Sequence, residues 1–340
     1  MNTLKKSLIG IVATVAISAS GSVLALSSGD TLRIIVPYGA GGGYDAQARL
    51  AGPYVEDALE EMGISNVSVV IENVTGGGGA IATTQVYRAS GDGRTVLLLD
   101  PESSLWQQTL RDVAFDISEF RYIGQQSADP LAMTVRADLG IESFEDMKER
   151  AQEEPILLGT SGDGNYDHIM PMILERMLAD QGIQVPFDYL HFGGTGDILA
   201  SLRRNEAEGT LEVISTFRRY VEDGNGRFVF TFGEPDILDQ GLTVSGRDVL
   251  GLADEDYDLI DAAANFRRVY VAPPSTDDDV FETLSEAFHR ALSNPDLIEE
   301  SAEAGRPILF LDAEEIREVI ERETELARQY GDYIRERLAD

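Results

Sequence analysis

The sequence repeats one local unit, in which an apolar stretch of strand length leads through a glycine-rich turn into a segment of helix length. Such turns occur four times, at residues 39–43, 76–79, 161–164 and 193–196. Strands that alternate with helices favour an α/β architecture with parallel strands, because each helix returns the chain to the start of the next strand. No other feature constrains the fold as strongly.

The same unit allows strands and helices to be assigned along most of the chain, and the last third is more helical than the rest. The predicted strands cover residues 32–37, 67–72, 95–99, 131–136, 156–160 and 187–192. The predicted helices cover about 44–62, the stretch that ends at 88, 143–152, 166–181, 197–205, 277–293, 296–304 and 313–338.

A glycine-rich turn between a strand and a helix has a chemical use. Glycine lets the backbone approach a ligand closely, and the first turn of the helix offers unpaired N–H groups. Together with the helix dipole these groups form a site for an anion without any cationic side chain. Taken singly, each turn is explained as well by chain reversal. Four turns at the carboxyl ends of strands would face one crevice, which is where open α/β sheets bind ligands.

Composition excludes several classes of protein. The 340 residues are 43% hydrophobic, which is enough for the cores of about two domains. The formal charge of −33 excludes a nucleic-acid binder that works through a basic face. Cysteine is absent, so disulfides, thiolate metal sites and a cysteine nucleophile are excluded. The three histidines, at 168, 191 and 289, are far apart in sequence, and we predict no metal and no cofactor.

The excess of acidic over basic residues also indicates the salt concentration in which the protein works. Asp and Glu total 60 against 27 Lys and Arg, and Lys148 is the only lysine beyond residue 6. Self-repulsion on this scale is relieved by screening, and it exceeds what ordinary solubility needs. We therefore predict a halophilic protein.

The first 25 residues have the layout of a secretory signal peptide. Lys5 and Lys6 precede an apolar run, and Val23-Leu24-Ala25 places small residues at −3 and −1 of a cleavage site after Ala25. A membrane anchor is the alternative, but serines and a glycine interrupt the run before it reaches the ~20 residues of a spanning helix. We predict a periplasmic protein that is not membrane-embedded after processing.

Motifs that mark enzymes are incomplete. Gly39 to Tyr44 lacks the third glycine of a dinucleotide-binding fingerprint, and no P-loop is present. Asp163 stands where a nucleophile elbow needs glycine, and His168 replaces the glycine of a calcium loop. Catalysis therefore has little support in the sequence.

Two segments resemble the signatures of one receptor family. Residues 34–45 read IIVPYGAGGGYD, followed by Ala48 and Arg49, and residues 72–79 read ENVTGGGG. They look like the first and second signatures of the substrate-binding proteins of tripartite tricarboxylate transporters (TTT), the TctC or Bug family. The resemblance extends over about residues 30–335, nearly the whole chain after the signal peptide.

Weaker matches follow in the second half of the chain. Residues 159–165 with His168 resemble the family's Ser-x-Gly-x-Gly…His segment, and residues 191–194 (HFGG) resemble its Tyr-x-Gly-Gly helix entry. Residues 271–274 (VAPP) stand where the chain crosses back to the first lobe. Tyr44 departs from the family, where a small residue or Phe is commoner. Residues 210–217 match poorly, with Glu212 and Ser215 taken as the equivalents.

The resemblance implies a two-lobed α/β fold of the periplasmic-binding-protein (Venus flytrap) type, with a ligand cleft between the lobes. Lobe 1 would comprise residues 26–127 and 268–340, and lobe 2 residues 128–267. It implies a receptor, not an enzyme, that binds a small carboxylate through backbone amides and ordered waters. The receptor would hand the carboxylate to the TTT membrane permease subunits, and we expect it to be a monomer.

The candidate ligand-binding residues come from the turns and from positions that match the family. They are Tyr38, Gly41, Gly42, Gly43, Tyr44, Asp45, Gly77, Gly78, Gly79, Ser103, Ser104, Thr160, Ser161, Gly162, His168, Gly193, Gly194, Thr195, Glu212 and Ser215. Some have a structural alternative: a helix cap for Asp45, packing for Tyr38 and Tyr44, and a buried structural role for His168.

Two other functions stay open from the residues alone. One is a secreted hydrolase that uses a pair of acidic residues. The other is a ligand-binding partner of a membrane sensor kinase, with the same binding chemistry and a different recipient. Turnover of the bound ligand would separate the hydrolase from the receptor, and the neighbouring genes would separate the two kinds of recipient.

Overall fold

The structure is a computed structural model that describes residues 26–233 and 244–339. The predicted signal peptide, residues 1–25, lies outside the described residues. Within them, one sheet of nine strands runs through the molecule in the order β2-β1-β3-β9-β4-β7-β5-β6, and β8 also pairs with β4. The strands are β1 (Thr31–Val36), β2 (Ser68–Asn73), β3 (Thr95–Leu99), β4 (Arg121–Arg136), β5 (Ile156–Thr160), β6 (Phe187–His191), β7 (Gly209–Val213), β8 (Gly226–Thr231) and β9 (Asn265–Ala272).

Twelve α-helices cover this sheet in the described part of the chain. Those of the first two thirds are α1 (Gly43–Glu61), α2 (Ala80–Tyr87), α3 (Pro101–Leu110), α4 (Phe144–Ala151), α5 (Tyr166–Asp180), α6 (Thr195–Arg203) and α7 (Ile214–Glu222). The remainder are α8 (Gly246–Val249), α9 (Asp254–Ala263), α10 (Asp278–Leu292), α11 (Pro295–Glu303) and α12 (Ala313–Arg337).

The strands of each repeated unit run parallel, as the sequence predicts. In the first half of the sheet β1 pairs in parallel with β2 and β3, and in the second half β5 pairs in parallel with β6 and β7. The prediction of a parallel sheet is incomplete, however, because β4, β8 and β9 pair antiparallel. These three strands have no glycine-turn unit of their own, so the sequence pattern gives no sign of their direction.

The two halves of the sheet are joined by β4. Its pairing with β9 runs from Arg121 opposite Ala272 to Pro130 opposite Asn265. From Leu131 onward β4 pairs with β7 and β8 instead. A single strand therefore belongs to both halves, and β9 begins where β4 changes partners. The predicted lobe bounds at 127/128 and 267/268 lie near this change and stay a prediction.

Two large cores stabilise the halves. One lies between the first half of the sheet and helices α1 and α10, where Leu32, Ile34, Val55 and Phe288 are buried. The other contains residues of both halves together with α12, a long helix whose Asp312 and Glu315 form a capping box. Because α12 packs on α3 and also on α5 and α9, it ties the two halves together. Among the helices of the described residues, none is both long and apolar enough to cross a membrane.

Candidate functional site

A cleft of about 830 Å³ lies between the two halves of the sheet. Each of the four glycine-rich turns contributes to its lining, through Gly43, Gly78, Gly164 and Gly194 among others. The strands that join the halves supply its floor, with Ser127 and Ala128 from β4 and Phe266 and Arg268 from β9. The fold thus brings to one cavity four turns that are spread over about 150 residues of sequence.

Most of the predicted site residues lie at this cleft. Its lining includes Tyr38, Gly43, Tyr44, Gly77, Gly78, Ser103, Ser161, Gly193, Gly194, Thr195, Glu212 and Ser215. The predicted residues that are not part of the lining are Gly41, Gly42, Asp45, Gly79, Ser104, Thr160, Gly162 and His168. Contact of any of these residues with a ligand stays a prediction.

On the first wall, a tyrosine and an aspartate form a buried pair. The Tyr38 hydroxyl donates a hydrogen bond to Asp100, the residue that caps α3 and also accepts from the Ser103 amide at 2.9 Å. Burial raises the pKa of Asp100, and burial followed by the nearby Asp100 charge raises the pKa of Tyr38. The Tyr38 and Tyr44 ring centroids are 4.8 Å apart, so this wall is aromatic.

Asp45 shapes the first turn instead of capping the helix. The N-cap of α1 is Gly42, and Asp45 Oδ2 accepts hydrogen bonds from the Gly41 amide at 2.8 Å and from Arg49 Nε at 2.9 Å. The Arg49 hydrogen bond, with the Gly41 amide, lowers the pKa of Asp45 to about 2. Arg49 therefore makes an ion pair within α1, and the pair fixes the backbone that leads to Gly43 at the cleft.

The second turn requires glycine. Gly76, Gly77, Gly78 and Gly79 all have positive φ, between 60° and 123°. A Cβ atom at Gly78 would lie 2.9 Å from Gln107 Nε2, which donates to the Gly78 carbonyl at 2.7 Å. The turn exposes its backbone to the cleft because no side chain intervenes.

Arg268 is the main residue that the sequence reasoning missed. Its guanidinium carbon lies 5.0 Å from the centroid of the Tyr44 ring, and its Nη1 contacts Ser127 Oγ at 3.4 Å. Arg268 Nε is buried and has no hydrogen-bond partner, and no ion pair with Arg268 is found among the described residues. The signal was an arginine pair in the otherwise apolar stretch 266–272, which leads into the crossing at 271–274.

The preceding residue, Arg267, has a different role. Since neighbouring side chains of a strand point to opposite faces, Arg267 points away from Arg268. It is buried between Glu102 Oε1 at 2.9 Å and Glu323 Oε1 at 2.7 Å. This cluster joins α3, β9 and α12 behind the cleft.

The second wall carries three carboxyl groups that are buried and line the cleft, Asp129, Asp167 and Glu212. Ser215 donates to Asp129, and the Ser161 amide and hydroxyl both donate to Asp167. Glu212 accepts from Thr195 Oγ1 at 3.1 Å and from the Val213 amide at 2.9 Å. Glu212 was predicted from the family resemblance, whereas Asp129 and Asp167 were missed.

Burial dominates the titration of this wall. It raises the pKa of Asp167 to about 6, and together with repulsion from Asp167 it raises the pKa of Glu212 to about 8. Burial also raises the pKa of Asp129, which the positive charge of Arg268 opposes. The serine hydroxyls here donate to carboxylates and not to a histidine, so Ser161 and Ser215 are not arranged as base-activated nucleophiles.

His168 is a buried residue behind the lining. Its Nδ1 accepts a hydrogen bond from the Gly164 amide at 3.1 Å, and burial lowers its pKa to about 4. The donor atoms of His168, His191 and Asp163 all lie within 4.8 Å of one another. Distance in sequence was therefore a poor guide for these two histidines, which the fold places side by side.

Two lobes joined by extended strands, with a polar cleft between them, define the class of the periplasmic binding proteins. Within that class, residues 57–337 match the family model of the tripartite tricarboxylate transporter family receptor, TctC. The chain belongs to this family, which consists of substrate-binding receptors and not of enzymes. The family that the sequence resembles is thereby confirmed.

Individual relatives agree with this assignment. The chain is 26% identical over 277 residues to the "UPF0065 protein in the TAR-I ttuE-ttuC' intergenic region" of Agrobacterium vitis, covering 80% of this chain and 74% of that protein. A TctC solute-binding protein from Polaromonas superposes with a TM-score of 0.69 at 19% identity, over 88% of this chain and 98% of that one. An R. palustris protein with adipate gives a TM-score of 0.67 at 20% identity, over 89% and 97%. The predicted two-lobed α/β fold is confirmed.

Proposed function

We propose that this protein is an extracytoplasmic receptor that captures a small organic carboxylate and delivers it to a TTT-type membrane permease. Export to the periplasm through the predicted signal peptide, and action as a monomer, are part of the proposal. Family membership supports a receptor; the chemistry of the ligand follows from the cleft.

The observation that carries the proposal is the position of Arg268. It is a guanidinium at the cleft without an ion-pair partner among the described residues, held over the Tyr44 ring. A guanidinium binds a carboxylate through parallel hydrogen bonds, which makes a carboxylate the ligand group that best satisfies it. Gly43 and Gly78 present backbone to the same cleft, and Gly43 lies beside the guanidinium. The related R. palustris structure holds adipate, a dicarboxylate, in agreement with this chemistry.

Ligand capture would involve closure of the lobes. We place lobe 1 at residues 26–127 and 268–340 and lobe 2 at 128–267, so that the lobes meet close to the point where β4 changes partners. The ligand would contact both walls at once, and a closed form stabilised in this way is what the permease would recognise.

The proposal is tested by binding. Protein that has been unfolded and refolded, to remove any co-purified molecule, is titrated in high salt with mono-, di-, tri- and aromatic carboxylates. A ligand at 100 times its Kd adds about 2.7 kcal/mol to stability, so the melting temperature should rise clearly with one class. Absence of binding to every carboxylate, together with a non-carboxylate found by mass spectrometry of the protein as purified, would overturn it.

Delivery needs its own experiment. Membrane vesicles that contain the permease should accumulate the labelled carboxylate only when the purified receptor is added. A receptor that binds the ligand but stimulates no permease, and instead activates a sensor kinase, would change the recipient and leave the binding function intact.

A further inference from the structure

The two sides of the cleft carry ionisable groups of opposite kinds, a guanidinium and three carboxyls. Arg268 lies on the floor beside the first wall, and Asp129, Asp167 and Glu212 line the second. None of these three carboxyls makes an ion pair with a cation among residues 26–233 and 244–339; their hydrogen-bond donors are serine and threonine hydroxyls and backbone amides. The second wall therefore lacks a direct ion-pair partner among these residues, although the charge of Arg268 acts on Asp129.

This arrangement has a cost in the free protein. Asp167 is 5% exposed and Glu212 is 8% exposed, and repulsion between them adds to the cost of burying each carboxylate. The cost of taking a carboxylate out of water is offset by hydrogen bonds, by a nearby positive charge or by a proton, and Asp167 and Glu212 have the hydrogen bonds but no ion pair among the described residues. Arg268 faces the same cavity with an unpartnered Nε and, like Asp167 and Glu212, it has no ion-pair partner among the described residues.

On the proposed receptor function, we infer that the ligand is an amino-carboxylate, whose carboxylate binds Arg268 and whose protonated amino group binds Asp167 and Glu212. One small zwitterion satisfies both walls at once, because an ammonium group has three donors and no acceptor. The second wall then selects between carboxylates that carry an amine and those that do not. A cleft of about 830 Å³ has room for such a molecule.

Matched ligand pairs test the inference. The refolded protein is titrated calorimetrically with succinate and L-aspartate, glutarate and L-glutamate, and propionate and L-alanine, each pair differing in one α-amino group. In at least one pair the amino acid should bind ten-fold or more tightly than its partner. Glu212→Gln and Asp167→Asn should each reduce that preference, with little effect on the amine-free partner. Glu206→Gln is the control, because Glu206 is a partly exposed ion-pair partner of Arg204 outside the cleft lining.

Three results would overturn the inference. Equal or tighter binding of the amine-free member in every pair, particularly with proton uptake, would mean that the acids are protonated and donate to a second carboxylate. Binding of citrate that is lost with EDTA and restored by Mg²⁺ or Ca²⁺ would assign the second wall to a metal–carboxylate complex. These two results would leave the proposed function as a carboxylate receptor intact. The third result, no binding of any of these ligands, would count against the receptor function as well as against the amino-carboxylate ligand.

Discussion

Arg268 and Tyr44 form a stacked pair at the cleft: the guanidinium carbon lies 5.0 Å from the ring centroid, and the Tyr44 hydroxyl donates to the Arg267 carbonyl at 2.6 Å. The tyrosine thus contacts both the arginine and the strand that carries it. A tyrosine at position 44, which departs from the family pattern, is accounted for by this contact. Arg268, a positive charge at the cleft, is therefore held in place by Tyr44, the aromatic residue of the first signature.

The pair yields the first prediction. Arg268→Gln should weaken carboxylate binding at least ten-fold, because the guanidinium is replaced by a neutral amide, while the melting temperature of the free protein changes by only a few degrees. Calorimetric titration with the best carboxylate of the panel measures the loss. Arg204→Gln, which removes a surface ion pair with Glu206, should leave affinity unchanged. Wild-type affinity in Arg268→Gln would show that the backbone turns alone hold the carboxylate.

The second prediction concerns the glycine at position 78. Gly78→Ala should impair binding ten-fold or more, since its φ of +61° is strained for alanine by about 1 kcal/mol and the new Cβ displaces Gln107. Gly140→Ala is the matched control, because Gly140 has a similar φ of +70°, lies outside the cleft lining and has nothing within 4 Å of a Cβ. Thermal melts establish that both variants fold, and titration compares their affinities. Equal affinities would remove the second turn from the ligand site.

Local signals account for what the sequence predicted correctly. The strands at 95–99 and 156–160 agree with the structure in full, and most predicted helix ends differ from it by one or two residues. Alternation of strand, glycine turn and helix is encoded within about 30 residues, so it can be read without tertiary contacts. The same locality explains why all four turns were found, and the common edge of parallel strands explains why they face one cleft.

Long-range pairing accounts for what was missed. The first ten residues of β4 are strand because they pair with β9, which follows more than 130 residues later. Asp129 and Arg268 are site residues only through that pairing. Asp167 follows the glycine-rich turn at 161–164 by three residues, and nothing local shows that it lies near Glu212. Family resemblance supplied Glu212, which no local pattern would have selected.

A third prediction follows from Asp45. Its pKa in the folded state is about 2, below the 3.8 of an ordinary aspartate, so its charged form is stabilised by folding. This stabilisation is fully present above pH 3.8 and is lost as the pH falls towards 2. Asp45→Asn should therefore lower the free energy of unfolding at neutral pH by about 1 kcal/mol. It should also make the free energy of unfolding depend less steeply on pH between pH 4 and 2. Urea unfolding at several pH values measures the free energy of unfolding of both proteins. If that free energy falls equally steeply with acid in the variant and in the wild type, the prediction is contradicted.

The buried cluster of Arg267, Glu102 and Glu323 gives a fourth prediction, with two variants of opposite effect. Arg267→Met leaves two buried carboxyls without a cation and should destabilise by about 3–5 kcal/mol. Glu323→Gln removes one of the two carboxyls that share a single guanidinium and keeps Arg267 paired with Glu102, so it should raise the free energy of unfolding. Denaturant titration of both variants at pH 6 and pH 9 separates the two effects.

The pH dependence of Glu323→Gln has a definite sign. Burial raises the pKa of Glu323 to about 8 from 4.5, so the folded state holds a proton that the unfolded state has released. Stability is then lost as the pH rises from about 4.5 through 8, and the glutamine variant escapes that loss. Its advantage over wild type should be larger at pH 9 than at pH 6. An advantage that does not grow with pH would mean that Glu323 is ionised throughout.

The last prediction concerns the charge of the whole chain. With a formal charge of −33, the folded state is opposed by repulsion whose range is about 30 Å at 10 mM salt and about 3 Å at 1 M. The melting temperature should fall steadily on dialysis from molar salt to ~10 mM, and for a chain of 340 residues each ~1 kcal/mol lost corresponds to about 1–2 °C. A flat melting temperature would contradict halophilic adaptation.

Screening can be distinguished from the general stabilisation that salts give by exclusion from protein surfaces. Screening depends on ionic strength and saturates once its range is shorter than the spacing of surface charges, whereas exclusion continues to increase at molar concentrations and is also produced by neutral sucrose. Most of the gain should therefore come below about 0.5 M NaCl, and sucrose should not reproduce it. Neutralising the adjacent acids Glu60 and Glu61, which lie on exposed positions of α1, should reduce the dependence on salt without changing the cleft. If sucrose matches sodium chloride, the acidity is not what makes the protein depend on salt.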